Sequence, residues 1–219
     1  TTEIYTLSLH DALPISGIAV LIEGPETEAF AKAVRAALTP VAAQVMLTDG
    51  IADAYRKGHD RVRDSTGVRD LLTSVCDRRN ATPSLFATTG DDWLANHALS
   101  EEVFGPLGLI VTVRDGAQMV EVAQGLAGQL TCTLHLDDSD TTLARRLMPI
   151  LETKAGRVLA NGFPTGVEVT DTMVHGGPYP ASTNFGATSV GTLSIRRFLR
   201  PVCYQNIPRA LWPDDLADA

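Results

Sequence analysis

Between Gly17 and Ala160, short apolar runs alternate with stretches of helical periodicity, and that alternation leaves few folds open. Residues 17–22, 84–88, 107–113, 130–136 and 157–160 read as strands. In 17–22 and 107–113 the apolar content is nearly continuous, as in strands buried on both faces. The helical pattern falls on 26–43, 49–63, 91–99, 116–126 and 139–154. The first helix is opened by Pro25 and carries Phe30, Val34, Ala37 and Leu38 on one face. Asp49 is the expected cap of the second. Strands separated by helices imply right-handed crossovers and an α/β fold, with a mostly parallel sheet and helices on both faces. From 161 to 188 the chain turns to Gly, Pro, Ser and Thr, the composition of a long functional loop. A helix over 190–199 and a terminal strand over 201–205 complete the expected order.

Composition narrows the function classes. The chain has 219 residues, 44% of them hydrophobic, enough to bury one sizeable core. No apolar run approaches the roughly 20 residues of a membrane-spanning helix. The net charge of -8 argues against nucleic acid and anionic membranes as partners. Cys76, Cys132 and Cys203 are too scattered for a disulfide framework, so a reducing, cytoplasmic setting is expected. Cys132 and His135 sit three apart in a strand, where period-two geometry sends them to opposite faces, so Cys132 is read as core. Nothing marks Cys76 as an activated thiol, His59 and His97 read as surface helix positions, and no clustered ligands suggest a metal.

The run Glu101-Glu102-Val103-Phe104-Gly105-Pro106 stands directly before the 107–113 strand. A carboxylate at a strand end can accept hydrogen bonds from sugar hydroxyls, and an aromatic can pack against a flat ring. The plainer alternative is a helix ending in a Gly-Pro turn. The run resembles the cofactor-ribose motif of the aldehyde dehydrogenase superfamily. The runs 156–169 (GRVLANGFPTGVEV), 173–180 (MVHGGPYP), 188–192 (TSVGT) and 196–205 (RRFLRPVCYQ) are similar to the subgroup that oxidises 2,5-dioxopentanoate, α-ketoglutaric semialdehyde. The resemblance covers Gly17 to about Leu216.

What it implies is an NAD- or NADP-dependent enzyme that converts a small aldehyde to the acid. Glu102 would bind the cofactor ribose and Phe104 flank the nicotinamide, with Glu101 solvated. Asn161, Phe163 and Pro164 would line the substrate path, although Asn161 and Gly162 also read as a simple turn. The glycines after His175 would allow close backbone approach. Arg196, Arg197 and Arg200 would brace an oligomer or the chain's own acids, and the intact enzyme would be a homo-oligomer. The family's nucleophilic cysteine would fall near Leu13, where this chain has none, and its base glutamate lies further upstream. The chain is therefore expected to be a C-terminal part, inactive alone, with a partial catalytic domain over 17–200 and a tail over 201–219. Residues 1–16 have no expected counterpart, resemble a translated sequencing-adapter peptide, and are set aside as a non-native leader. Two other classes stay open, a non-catalytic α/β binding or assembly module and, more remotely, a cysteine hydrolase without a nucleophile elbow.

Overall fold

A computed structural model describes residues 3–5, 17–73, 75–162, 170–184 and 186–217. Ten strands are placed among them: β1 (Glu3–Tyr5), β2 (Gly17–Ile22), β3 (Gln44–Val45), β4 (Arg69–Leu72), β5 (Cys76–Asp77), β6 (Asn80–Ala81), β7 (Ser84–Thr89), β8 (Leu107–Val113), β9 (Gln129–His135) and β10 (Ala155–Ala160). The longer helices are α1 (Pro25–Leu38), α2 (Asp49–Arg63), α3 (Gly90–Ala95), α4 (Gly116–Gly125) and α5 (Thr141–Lys154). The main sheet has the order β10-β9-β1-β2-β8-β7-β4. Strands β10, β9, β2, β8 and β7 run one way, while β1 and β4 run against them. A small antiparallel sheet, β3-β6-β5, stands apart.

Both faces of the main sheet are covered, as expected of strands without polar alternation. Val20, Phe86, Leu109, Val111 and Val113 belong to the larger core, with Tyr55 and Val62 of α2, Trp93 of α3, Met119 and Val122 of α4, and Leu147 and Leu151 of α5. The intervening Ala19, Leu21, Leu85, Ala87 and Ile110 face the other way, against Phe30, Val34 and Leu38 of α1. Ala37 is exposed.

Four expectations are corrected. α1 stops at Leu38, and the Thr39 backbone N–H caps it through Arg35 O. The cap of α2 is Thr48, whose hydroxyl accepts from Ile51 N at 3.2 Å, and not Asp49. Residues 201–205 form no strand, because they lie along no sheet edge of the described residues and so have no ladder partner. The segment 192–198 is a 3₁₀ turn rather than an α-helix. Within residues 1–16, set aside above as a leader, β1 is part of the main sheet. It pairs antiparallel with β2 and β9 at once, and its backbone fills the gap between two edges that would otherwise carry unpaired N–H and C=O groups.

Candidate functional site at the amino edge of the sheet

Strands β2, β8 and β7 start side by side, with Gly17 opposite Gly108 and Ser84 opposite Leu107. The 101–106 run leads into this amino edge outside any regular element and turns tightly at Pro106, where Leu107 N donates to Gly105 O at 2.8 Å. It is anchored where Ser84 N donates to Pro106 O at 2.7 Å. Its side chains alternate: Val103 and Gly105 are buried, while Glu102 is exposed and Phe104 is 43% exposed.

Helix α2 enforces that alternation. Tyr55, Gly58 and Arg61 recur every third residue along one stripe; the first two meet the inward positions Gly105 and Val103, and the third meets the exposed Glu101. A Cβ at Gly105 would fall 2.2 Å from Tyr55 Cδ2, so only glycine lets the chain lie against that ring. A Cβ at Gly58 would fall 2.8 Å from Val103 Cγ1. Arg61 Nη1 donates to Glu101 Oε2 at 2.7 Å, so Glu101 is an ion-pair partner and not merely solvated. Glu102 and Phe104 are left side by side, facing outward.

The 173–180 segment reaches the same edge at its other side. Gly176 and Gly177 are buried against the starts of β10 and β9. A Cβ at Gly156 would lie 2.0 Å from Gly176 O, and one at Gly177 would lie 2.2 Å from Gln129 O. The close approach expected of the two glycines is required at Gly177 and not at Gly176, where a Cβ would meet only Ala187 O at 3.5 Å and Ser182 Oγ at 3.8 Å; opposite Gly176 the glycine that is needed is Gly156. His175 N donates to Thr188 Oγ1 at 2.8 Å, which ties the crossing to the following loop.

No family model matches the chain. Two curated proteins do. An alpha-ketoglutaric semialdehyde dehydrogenase 2 of Azospirillum brasilense is 48% identical over 98% of this chain and 41% of its own length. An alpha-ketoglutaric semialdehyde dehydrogenase of Acinetobacter baylyi is 42% identical over 92% of this chain and 39% of its own. The chain is related to part of an aldehyde dehydrogenase. It spans about two-fifths of the length of these aldehyde dehydrogenase relatives. A span of 98% leaves too few residues outside it to exclude all of 1–16, so the matched region runs into the segment set aside as lacking a counterpart.

Solved aldehyde dehydrogenases share the fold at low identity. A lactaldehyde dehydrogenase superposes with TM-score 0.62 at 14% identity, over 82% of this chain and 38% of that one. An NADP-dependent glyceraldehyde-3-phosphate dehydrogenase from Bacillus halodurans, complexed with NADP, gives 0.58 at 16% identity, over 76% and 34%.

The other expected aldehyde dehydrogenase positions fare differently. Asn161 lies at the opposite, carboxyl edge, where it follows β10 with φ 51°. Its Nδ2 donates to Leu136 O at 2.9 Å and its Oδ1 accepts from Leu136 N at 2.8 Å. The amide thus ties the end of β10 to the residue that follows β9. Phe163 and Pro164 lie outside the described residues. Cys132 is fully buried, and burial pushes its thiol up to about 11, which suits a core residue and not a nucleophile.

His59 is a correction, since it is buried rather than on the surface. Its ring lies between Tyr55 and Phe86, at centroid distances of 5.9 and 5.3 Å. Its place at i+4 from Tyr55 was the available signal, masked by the charged neighbours Asp60 and Arg61. Sequence reasoning also missed a polar tie at the carboxyl edge. Gln118 is buried, donates from Nε2 to Asp91 Oδ1 at 2.8 Å, and accepts from Arg114 N at 2.9 Å. Arg114 pairs with Asp91 and holds that carboxyl below its usual range, with Gln118 adding to the effect.

Proposed function

We propose that this chain supplies sheet and cofactor-facing residues to an NAD(P)-dependent aldehyde dehydrogenase that oxidises 2,5-dioxopentanoate or a similar aldehyde to the acid. The observation that carries the reading is the outward pair Glu102 and Phe104, set on an edge packed against α2. Glu102 and Phe104, two residues apart with the buried Val103 between them, face outward together, which fits one side chain to a ribose and the other to the ring attached to it. Among the described residues Glu102 has no internal partner for its carboxylate, so both oxygens are free to accept from ribose hydroxyls. The half-exposed Phe104 ring offers a flat apolar face. The dinucleotide, when bound, supplies the hydride acceptor.

The identities to the two semialdehyde dehydrogenases support the substrate class. The cofactor is proposed as NAD or NADP, in keeping with the NADP held by the Bacillus halodurans structure. Asn161, Phe163 and Pro164 are proposed as substrate-binding residues. The nucleophilic cysteine and the base glutamate are proposed to come from outside these residues, so the 219-residue chain alone should not oxidise aldehydes. Ile195, Phe198, Leu199, Val202 and Tyr204 are exposed, and this favours a homo-oligomer that covers them. No helix among the described residues is long and apolar enough to cross a membrane. Three free cysteines suit the cytoplasm.

The test is Glu102→Gln in the full-length gene product. It keeps the shape and removes a charge-assisted acceptor, worth about 1.5–3 kcal/mol. Single-turnover reduction of NAD(P) by 2,5-dioxopentanoate should slow by about 10- to 100-fold, with the unfolding midpoint unchanged. Unaltered cofactor affinity and hydride transfer would leave Glu102 an ordinary surface acid.

A further inference from the structure

Glu102 and Phe104 can serve a cofactor only if the run that bears them is held in one register. Between Glu101 and Gly105, helix α2 packs along the run. The geometry points to Gly58 and Arg61, with Tyr55, as positioning residues for the cofactor edge: together they turn Val103 inward and present Glu102 and Phe104 outward. The inference rests on the cofactor reading above.

Three contacts, spaced along the run, make the case. Tyr55 lies against Gly105, Gly58 receives Val103, and Arg61 holds Glu101. Each engages an odd-numbered position, so a slip of one residue would bury Glu102 or Phe104 and expose Val103. The helix is itself fixed from behind. Tyr55, His59 and Val62 are buried in the core, and the His59 ring lies against Phe86 of the central sheet. The stripe is thus a rigid template with one vacancy, the missing side chain of Gly58, into which Val103 fits. Arg61 adds a charge at the open end of the run, where the pair is exposed and its value lies in direction more than in strength.

The decisive variant is Gly58→Ala. Alanine suits a helix better than glycine, so α2 is not weakened. The added Cβ meets Val103 at 2.8 Å where carbon contacts normally sit at about 3.5–4.0 Å. The run must therefore move outward by about 1 Å, a displacement that in a catalytic site costs on the order of 10²-fold. Val103→Ala, added as a second change, removes the two methyls that collide. Arg61→Gln is the milder probe, with Arg61→Lys as its conservative partner.

Two readouts in the full-length gene product separate geometry from function: the fluorine NMR signal of a trifluoromethylphenylalanine at position 104, and single-turnover hydride transfer to NAD(P). Gly58→Ala should shift the signal and slow hydride transfer on the order of 10²-fold, and the double variant should restore both. Arg61→Gln should move both in the same sense but less, with Arg61→Lys between. If Gly58→Ala does not fold, the Arg61 pair carries the same test. An unmoved signal in Gly58→Ala and Arg61→Gln overturns the positioning role. A signal that moves and is restored while hydride transfer never changes overturns the cofactor reading instead.

Discussion

Replacing Gly156 with alanine tests whether the 173–180 segment really crosses the starts of β9 and β10. The new Cβ would lie 2.0 Å from Gly176 O, 2.8 Å from Gly176 C and 3.2 Å from Val174 Cγ1. Carbon–oxygen contacts are comfortable at about 3.3 Å and beyond, so the crossing would have to lift by more than an ångström. The obstacle is backbone, which cannot turn aside as a flexible side chain could. Sliding toward β9 is blocked as well, because Gly177 lies so near Gln129 O that even a Cβ there would fall 2.2 Å from it. Overpacking of this kind costs about 1–3 kcal/mol, and the lower unfolded-state entropy of alanine returns about 0.4–1 kcal/mol. A net loss of about 1–2 kcal/mol is expected in urea or guanidinium unfolding, with faster proteolysis in the 170–190 region. Gly162→Ala is the control, since its Cβ would meet only Ala160 O, at 3.8 Å. If Gly156→Ala unfolds and is cleaved like the parent chain while the control behaves as expected, the crossing is not there.

Two further outcomes follow from single side chains. Burial lifts the Cys132 thiol from 9.0 to about 11. Because the folded value is the higher one, the protonated thiol's contribution is intact below pH 9 and is lost as pH rises toward 11. About 3 kcal/mol should disappear over that window. Cys132→Ala should flatten this part of a stability–pH curve, and a steep decline that survives the substitution would assign it to other groups. Thr48→Ala should cost about 1 kcal/mol through loss of the α2 cap, and Asp49→Ala only a few tenths. Thermal unfolding showing the reverse order would restore Asp49 as the cap.

Much of the fold was legible because strands buried on both faces must be apolar throughout. Residues 107–113 were placed to the residue for that reason. What escaped had weaker physical signatures. Strands β3, β5 and β6 have two residues each, several of them polar, so they show no period. β4 carries Arg69 and Asp70 on an edge, where burial does not select sequence. The candidate site was legible in its residues and less so in its place. The general rule for open α/β sheets puts ligands at the carboxyl ends of strands, yet Glu102 and Phe104 stand at the amino ends. Asn161 does stand at a carboxyl end, where its left-handed backbone is one that asparagine tolerates and its amide is bonded to the backbone of Leu136. The Arg61–Glu101 pair left no trace in the sequence, since the partners are forty residues apart and meet only through packing.

The placement of β1 in mid-sheet has a consequence for the order in which the molecule can assemble. β7, β8 and β2 can join through parallel pairings of their own, as can β9 and β10. The two blocks become one sheet only when the three residues of β1 lie between them. That step brings Glu3 beside His135, more than a hundred residues along the chain. Contacts of such long range are late and slow, because the closure entropy is spent before the ladder repays it. The seam is also short against six- and seven-residue neighbours. Amide exchange should therefore find its lowest protection along this line, with the molecule opening there as two stable blocks before either block frays.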